Sequence, residues 1–177
     1  MRVFSFLKSA LVCSAVLVAG RASADATKSI VQNAVDAGQF KTLVALVQKA
    51  GLVDALNAPG PLTVFAPTDA AFAKLSADTL YALENNPEAL KKVLLRHVAS
   101  GKFTADRIGL RKEVKALEGV VGCSNVDRCF YNGQLLLSVL RSNGTGGDPV
   151  RVIAEDIAAS NGIIQAIDTV LLPAATR

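Results

Sequence analysis

The sequence predicts a single α+β domain, with its helices in the first half of the mature chain and most of its strands in the second. Apolar residues recur at three- and four-residue spacing through much of residues 27–98, as they do on amphipathic helices. Beyond Gly101 they fall into short runs separated by turn residues, as they do in strands. Helices followed by strands fit an α+β fold better than the regular alternation of a parallel α/β sheet.

Residues 1–24 have the three parts of a secretory signal peptide. Arg2 and Lys8 give a basic start, residues 9–20 carry no charge, and an Ala-Ser-Ala cleavage site ends at Ala24. We expect cleavage there, which leaves residues 25–177 as one mature domain. The uncharged run is shorter than the about 20 apolar residues of a membrane helix. We therefore expect a secreted or periplasmic protein with no integral membrane segment after cleavage.

The mature chain carries little net charge. Cleavage removes Arg2, Lys8 and Arg21 and no acidic residue, which lowers the formal net charge from +4 to +1. The remaining Lys and Arg residues are interspersed with Asp and Glu, and they do not form the basic stripe that a phosphate backbone requires. We expect no nucleic-acid binding.

The predicted helices of the first half share an apolar face and clear start or stop residues. Gly38 ends the first of them, and Ser76 or Asp78 caps the fourth. Asn86 is the predicted N-cap of the last, with Pro87 at its first position. The five segments cover residues 27–37, 40–50, 53–56, 76–83 and 87–98.

A strand is predicted inside this helical half, and it stops at a proline. Thr63, Val64 and Phe65 are β-branched or aromatic, the residue types that favour a pleated and half-buried surface. Pro67 lacks a backbone donor and ends the pairing.

A short helix is predicted directly after this strand. The Thr68 hydroxyl is placed to accept a hydrogen bond from the amide of Ala71, which makes Thr68 the N-cap. Asp69 adds a negative charge at the positive end of the helix dipole. Phe72 and Leu75 then lie on one face of the helix. Residues 63–75 are thus interpreted as a strand, a sharp corner and a capped helix, with a structural role by default.

The second half begins with a short helix over 105–110, capped by Thr104, and continues as strands. Asn161 and Gly162 stand between two apolar runs and predict a hairpin. The predicted strands cover residues 113–117, 120–122, 129–131, 134–140, 149–155 and 163–172.

Cys123 and Cys129 are the two cysteines of the mature chain. In an exported protein, a nearby pair predicts a disulfide that closes a short local loop. A redox or metal pair is the alternative. However, the five intervening residues do not match C-x-x-C, and a chain with a single histidine offers few further zinc ligands. We therefore expect no metal and no cofactor.

His97 is the only histidine of the chain. It follows Leu90, Val93 and Leu94 at helical spacing, which places the imidazole on the apolar face of the last helix. We expect His97 to be buried, hydrogen-bonded and neutral, and to serve as a polar link between elements.

Three segments, in their order and spacing, resemble the fasciclin family. Residues 63–72 (TVFAPTDAAF) are similar to its first signature segment, and residues 161–173 (NGIIQAIDTVLLP) are similar to its second. Residues 94–108 (LLRHVASGKFTADRI) resemble the segment between them that carries a tyrosine-histidine pair. The resemblance implies a helical layer packed on a β-wedge or sandwich, an extracytoplasmic location, and cell adhesion or matrix binding as the function.

The resemblance also implies structural roles for residues of these motifs. It implies that the first motif packs beside the second signature strand, and that His97 binds the corner at Thr68 and Asp69. The motif residues are Thr63, Phe65, Pro67, Thr68, Asp69, Phe72, His97, Asn161, Gly162 and Asp168.

Two positions depart from the family pattern. Arg96 stands where the family often has tyrosine, and Gln165 stands where it often has histidine, so contacts of those side chains are not carried over. The chain also lacks an RGD tripeptide. Lys92 and Arg96 lie four residues apart on the polar side of their helix, and Arg96 is our candidate contact to a partner. A solvated surface arginine without a binding role is the alternative. That partner would be a cell-surface or matrix protein or a glycan.

Two other function classes remain open. A hydrolase would need a nucleophile and an orienting group near His97, but the chain has no G-x-S-x-G sequence and no spare cysteine. The adjacent carboxylates of Glu155 and Asp156 should point to opposite faces of a strand. A carrier of small apolar ligands or lipids is favoured only by the 51% hydrophobic content, and it would need a large cavity. We expect an adhesion module without catalytic activity.

Overall fold

The structure is a computed structural model that describes residues 26–111, 113–123, 129–131, 134–139 and 149–172. The predicted signal peptide and its cleavage site lie outside the described residues. The helices of the described part are α1 (Ile30–Asp36), α2 (Lys41–Lys49), α3 (Val53–Asn57), α4 (Asp69–Ala73), α5 (Ala77–Asn85), α6 (Pro87–Arg96) and α7 (Ala105–Arg111). Its strands are β1 (Leu62–Pro67), β2 (Val98–Ser100), β3 (Glu113–Lys115), β4 (Val120–Cys123), β5 (Phe130–Tyr131), β6 (Gln134–Val139), β7 (Val150–Ala159) and β8 (Gly162–Ile167).

The strands form one mixed sheet whose two ends meet. Their order is β2-β1-β8-β7-β6-β4-β3, with β5 paired to β6, and β1 with β8 is the parallel pair. At the ends of this order, Ala99 pairs with Ala116, and the amide of Leu117 donates to the carbonyl of Val98 at 2.7 Å. These contacts cover both sheet edges and enclose an interior. The predicted α+β class is confirmed.

Strands β1 and β8 separate two hydrophobic cores. Because side chains alternate along a strand, Val64 of β1 and Ile164 of β8 point into a core shared with α1 to α6. Phe65 and Ile167 point the other way, into a core shared with α7 and strands β3, β4, β6 and β7. The pair β1–β8 is therefore the central wall of the molecule, and both signature motifs lie on it.

Two predicted N-caps and one predicted helix end are confirmed. Ser76 and Asn86 cap α5 and α6, each accepting a hydrogen bond from the amide three residues later. Gly38 follows α1 with a φ of 70°, a conformation that glycine adopts without strain. The helix α1 begins later than predicted, because Ser29 forms a capping box with Gln32.

The prediction for the end of the longest helix was wrong. The helix was expected to run through Val98, but α6 ends at Arg96 and residues 98–100 form β2, antiparallel to β1. The amide of Phe65 binds the carbonyl of His97 at 2.8 Å, so β1 competes for backbone groups that would have continued the helix. This pairing joins residues more than thirty positions apart, which local periodicity does not report.

The C-terminal strands lie close to their predicted positions. The hairpin predicted at Asn161 and Gly162 is confirmed, since β7 and β8 are antiparallel with Ala159 opposite Gly162. The strand β7 is longer than predicted and β8 is shorter, ending at Ile167. Register shifts interrupt β7 between Val152 and Ile157, and this irregularity lets a ten-residue strand follow the curved sheet.

The predicted disulfide is confirmed. Cys123 at the end of β4 is bonded to Cys129, with 4.8 Å between their Cα atoms. Both sulfurs lie against α7, with Cys129 Sγ 3.4 Å from the carbonyl oxygen of Gly109. The bond therefore joins the end of β4 to the residue directly before β5, next to α7.

In the part of the chain that the structure describes, no helix combines the length and the apolar character that a bilayer crossing requires.

Candidate functional site

The two signature motifs lie side by side. Strands β1 and β8 pair in parallel from Leu62 opposite Gly162 to Pro67 opposite Ile167. Thr63, Phe65 and Pro67 of β1 are all buried. The first motif thus packs beside the second, as the resemblance implied.

Asn161 joins this pair of strands to the helical layer. Its Oδ1 accepts from the amide of Ile30 at the start of α1, at 3.0 Å. Its Nδ2 donates to the carbonyls of Leu56 and Ala58 at the end of α3, at 2.7 and 3.2 Å. One side chain therefore caps two helices at the tip of the β7–β8 hairpin.

Two glycines allow the backbones around Asn161 to approach closely. A Cβ atom at Gly162 would lie 2.0 Å from the carbonyl oxygen of Leu62, and one at Gly60 would lie 1.9 Å from that of Asn161. Any larger residue would separate β1 from β8. Gly162 of the second motif is thus required by packing, and turn geometry alone does not account for it.

The corner after β1 is fastened to α2 by Asp69. The carboxylate of Asp69 accepts from the amide of Thr42 at 2.8 Å, and its own amide donates to the carbonyl of Gln39 at 2.9 Å. Burial alone would raise the pKa of Asp69, but hydrogen bonds from Thr42 and Lys41 and the charge of Lys41 outweigh it, so the pKa is lowered. Asp69 caps a helix other than its own.

The predicted role of the Thr68 hydroxyl was wrong. Thr68 occupies the N-cap position of α4 and is buried, but its side chain makes no capping hydrogen bond. Only its carbonyl accepts, from the amides of Ala71 and Phe72. Phe72 is buried in the helical core, which fits its predicted structural role.

Asp168 ties the end of β8 to β7 and α4. Its Oδ1 accepts from the amide of Arg151 at 3.0 Å and from the hydroxyl of Thr169, and its Oδ2 lies 3.2 Å from Lys74 Nζ. Burial alone would raise the pKa of Asp168, but these hydrogen bonds and the charge of Lys74 outweigh it and lower the pKa. Both carboxylate oxygens therefore have hydrogen-bond partners within the fold.

His97 is buried, with 2% of its surface exposed. Its Nδ1 lies 2.8 Å from the carbonyl oxygen of Val93, and its Nε2 lies 3.0 Å from the amide nitrogen of Leu171. Because a carbonyl only accepts and an amide only donates, the imidazole carries its proton on Nδ1 and is neutral. Burial lowers the pKa of His97 to about 4; the Val93 carbonyl opposes this shift and the charge of Arg96 adds to it.

The expected partner of His97 was wrong. The imidazole was expected to bind the corner at Thr68 and Asp69, but it binds Leu171 in the segment after β8. Val170 of that segment enters the helical core and Leu171 enters the strand-side core. His97 therefore links α6 to the segment that closes both cores.

Gln165 is a fully buried polar residue in the centre of β8. Its side-chain amide makes two hydrogen bonds to Asp156. Nε2 donates to the Asp156 carboxylate at 2.6 Å, and Oε1 accepts from the Asp156 backbone amide at 3.0 Å. Asp156 lies in the irregular part of β7 with a φ of 54°, and its carboxylate also accepts from Ala105 at the start of α7. Gln165 thus fixes the bend of β7 and the position of α7.

Arg96 is half-buried against the turn between β3 and β4. Its Nε donates to the carbonyl oxygen of Glu118 at 3.1 Å, and its guanidinium covers Gly119. In the described part of the chain, this is the hydrogen bond that Arg96 makes, and its terminal nitrogens have no protein partner. The partner contact proposed for Arg96 stays a prediction, but the side chain is less exposed than expected.

An apolar cleft opens beside Arg96, with a volume of about 40 Å³. Apart from His97, its walls are aliphatic. Arg96 does not line the cleft itself, but the lining residues Leu95 and Leu117 directly precede Arg96 and its partner Glu118 in the chain. Leu117 is half exposed, and Ala55 of α3 is exposed on the opposite side. A second apolar cavity, of about 20 Å³, lies between α1, α2 and the wall of β1 and β8.

Comparison with known proteins identifies the family. The sequence model of the fasciclin domain family matches residues 38–173 of this chain. The chain belongs to the fasciclin family. It is 41% identical to the Synechocystis protein sll1735 over 81% of this chain and 97% of that protein. It is 39% identical to the Synechocystis protein sll1483 over 88% of this chain and 79% of that protein.

Animal proteins align with this fasciclin chain over a small part of their own length. The transforming growth factor-beta-induced protein ig-h3 of Sus scrofa is 34% identical over 76% of this chain and 18% of that protein. A solved FAS1 domain pair of the insect cell adhesion molecule fasciclin I superposes with a TM-score of 0.59 at 19% identity, covering 76% of this chain and 45% of that one. This last similarity shows the fold.

Sequence reasoning about this fasciclin protein missed the Gln165–Asp156 pair and the cleft. A glutamine within the apolar run of residues 163–167 was the available signal, because a buried amide must find partners. The cleft had no such signal, since its walls come from α2, α3, α6, β1, β2 and two turns. Glu155 and Asp156, which were expected to point apart, bond to Leu135 and Ala105 respectively.

Proposed function

We propose that this fasciclin protein is an extracytoplasmic binding module of the adhesion type, without catalytic activity. The observation that carries the proposal is the family match over residues 38–173, nearly the whole mature domain. The solved neighbour with the same fold is part of an insect cell adhesion molecule. The partner we propose is a cell-surface or matrix protein or a glycan.

The surroundings of His97 argue against a hydrolase. A general base must reach the proton that it abstracts, but both ring nitrogens of His97 are engaged by the backbone and the ring is buried. The cleft that His97 borders is otherwise lined by aliphatic side chains, so it supplies no nucleophile. A hydrolase that uses His97 would need a free ring nitrogen and a nearby nucleophile, and this site offers neither.

The size of the described cavities argues against a lipid carrier. They measure about 40 and 20 Å³, whereas pockets for drug-sized ligands span roughly 300–1,000 Å³. Neither of these two cavities could hold a whole lipid.

An exported location is part of the proposal. The disulfide between Cys123 and Cys129 is typical of oxidising compartments, and the signal sequence of residues 1–24 predicts a mature chain that starts at Asp25. Intact-mass and N-terminal analysis of protein from the exported fraction tests this. A mature chain that retains Arg2 and Lys8 would contradict the predicted location.

Binding of purified residues 25–177 to arrays of glycans, matrix proteins and secreted proteins tests the function. We expect saturable binding to at least one class of surface component, abolished when the protein is denatured. The reduced and unfolded chain is the control for nonspecific apolar adsorption. Absence of binding on all arrays, together with turnover of a chromogenic ester or glycoside, would replace the proposal by an enzymatic function.

A further inference from the structure

We propose that Arg96 and the adjoining cleft form one docking site for a protein segment that carries an apolar side chain next to a carboxylate. The inference rests on the proposed binding function and specifies its surface and its partner. The cleft would take the apolar side chain, and the guanidinium of Arg96 would pair with the acid. The site lies where α6, α3 and the β3–β4 turn meet.

The cleft has the size and chemistry for one aliphatic side chain. A cavity needs at least about 10–15 Å³ of accessible volume to hold one water molecule, which occupies about 30 Å³ in liquid water. The 40 Å³ of the cleft thus correspond to about three waters, close to the bulk of a leucine side chain. Its aliphatic walls leave such waters without partners, so an apolar group is favoured over solvent.

Arg96 is positioned for a carboxylate before any partner binds. The bond from Nε to Glu118 and the contact with Gly119 fix the plane of the guanidinium. The terminal nitrogens, which have no partner in the described chain, are the pair of donors that binds a carboxylate through two parallel hydrogen bonds. Because Arg96 is already held in place, little side-chain freedom is lost on binding.

The charges around the cleft favour an acidic partner. Lys91 precedes Leu95 of the cleft wall by one helical turn, and Lys92 precedes Arg96 by one turn. Both lysines are exposed, and within the described residues neither takes part in an ion pair. Asp54 and Glu118 are chain neighbours of the lining residues Ala55 and Leu117, but α6 carries the three cations on the side where the carboxylate would lie.

Synthetic octapeptides test the site directly. Each peptide has capped ends and a Gly/Ser background, and it contains one apolar residue (Leu, Ile or Phe) and one Asp. Across the series, the Asp follows the apolar residue by one, two or three positions. Matched peptides replace Asp by Asn, or the apolar residue by Ala. Binding to residues 25–177 is followed by NMR, using the methyl signals of Leu95 and Leu117 and the Nε–H signal of Arg96.

We expect at least one spacing to shift all three signals together. Replacing Asp by Asn should weaken binding by about tenfold or more, since a charge-assisted pair is lost. Arg96→Gln should remove the preference for Asp over Asn, and Ala55→Phe should block the cleft while leaving Arg96 intact. Tyr81→Ser, at an exposed residue outside the cleft lining, is the control and should leave binding unchanged.

Equal binding of the Asp and Asn peptides, equal binding of the Leu and Ala peptides, or shifts confined to another surface would overturn the proposal. Absence of signal shifts at millimolar peptide concentration would also overturn it. So would a cleft that binds free fatty acid or a second copy of the chain but none of the peptides. The outcome is separable from the proposed function. If surface attachment persists in Arg96→Gln and Ala55→Phe, the protein remains a binding module and this site is wrong.

Discussion

The hydrogen bonds of His97 require its neutral form. Nδ1–H donates to Val93, and Nε2 accepts from Leu171. A proton on Nε2 would place two donors opposite each other and break the link between α6 and the segment that enters both cores. Burial is the main reason why the pKa lies near 4. This single side chain makes the stability of the fold sensitive to pH.

We predict that stability falls as the pH decreases from 6.5 to about 4. The pKa of His97 is lower in the folded protein than its ordinary value of 6.5, so the unfolded chain binds the extra proton in this range. The contribution is complete above pH 6.5 and is lost on the way to pH 4. It amounts to on the order of 3 kcal/mol, or roughly 6–12 °C in Tm. Thermal melts across this range measure it.

His97→Gln is the matched control for this prediction. Glutamine retains an acceptor for the amide of Leu171 but does not titrate, so the variant should start less stable and change little between pH 6.5 and 4. Asp69 and Asp168 have lowered pKa values and lose their contributions at more acidic pH, outside this window. Equal slopes for the variant and the natural protein would refute the role of His97.

Asn161 should contribute more to stability than an ordinary helix cap. Asn161→Ala leaves the amide of Ile30 and the carbonyls of Leu56 and Ala58 without their partner, which we expect to cost about 2–4 kcal/mol. The same change at Asn86 removes one exposed cap and should cost about 1 kcal/mol. Urea denaturation compares the two. A smaller loss at Asn161 than at Asn86 would contradict its role in joining the hairpin to the helices.

At the scale of elements, the features that the sequence predicted correctly depend mainly on neighbours in the chain, although the Thr68 hydroxyl cap is an exception. The caps at Ser76 and Asn86 and the hairpin at Asn161 each involve residues within a few positions, and they are where the pattern placed them. The strand β2 was missed because its partner β1 lies far away in the chain. The partner of His97 was assigned wrongly for the same reason, since Leu171 is 74 residues further on.

The disulfide should stabilise the contact between β4 and α7. The loop between Cys123 and Cys129 is short, so the chain-entropy model gives about 2 kcal/mol for its closure. We predict that reduction lowers the free energy of unfolding by about this amount while the circular dichroism of the folded state is retained. Intact-mass analysis before and after reduction verifies the bond. Two free thiols in protein from the exported fraction would contradict it.

At the scale of the whole molecule, the wall of β1 and β8 divides the interior into two cores, one covered by helices and the other mainly by strands. The helical core and the strand-side core are each closed by the segment that His97 holds. Arg96 and the cleft lie on the helical side, next to the contact that brings the sheet ends together. The side chains of Asp69, Asn161, Gln165 and Asp168 are hydrogen-bonded within the fold, so we expect binding to depend on the surrounding surface.

Attachment of beads that carry residues 25–177 tests the adhesion function most directly. The beads are passed in flow over the surface component identified on the arrays, with albumin beads as reference and soluble protein as competitor. We predict attachment well above the reference, displaced by the soluble protein, and retained by His97→Gln at temperatures where that variant is folded. Attachment no greater than that of albumin beads on every surface would contradict the account.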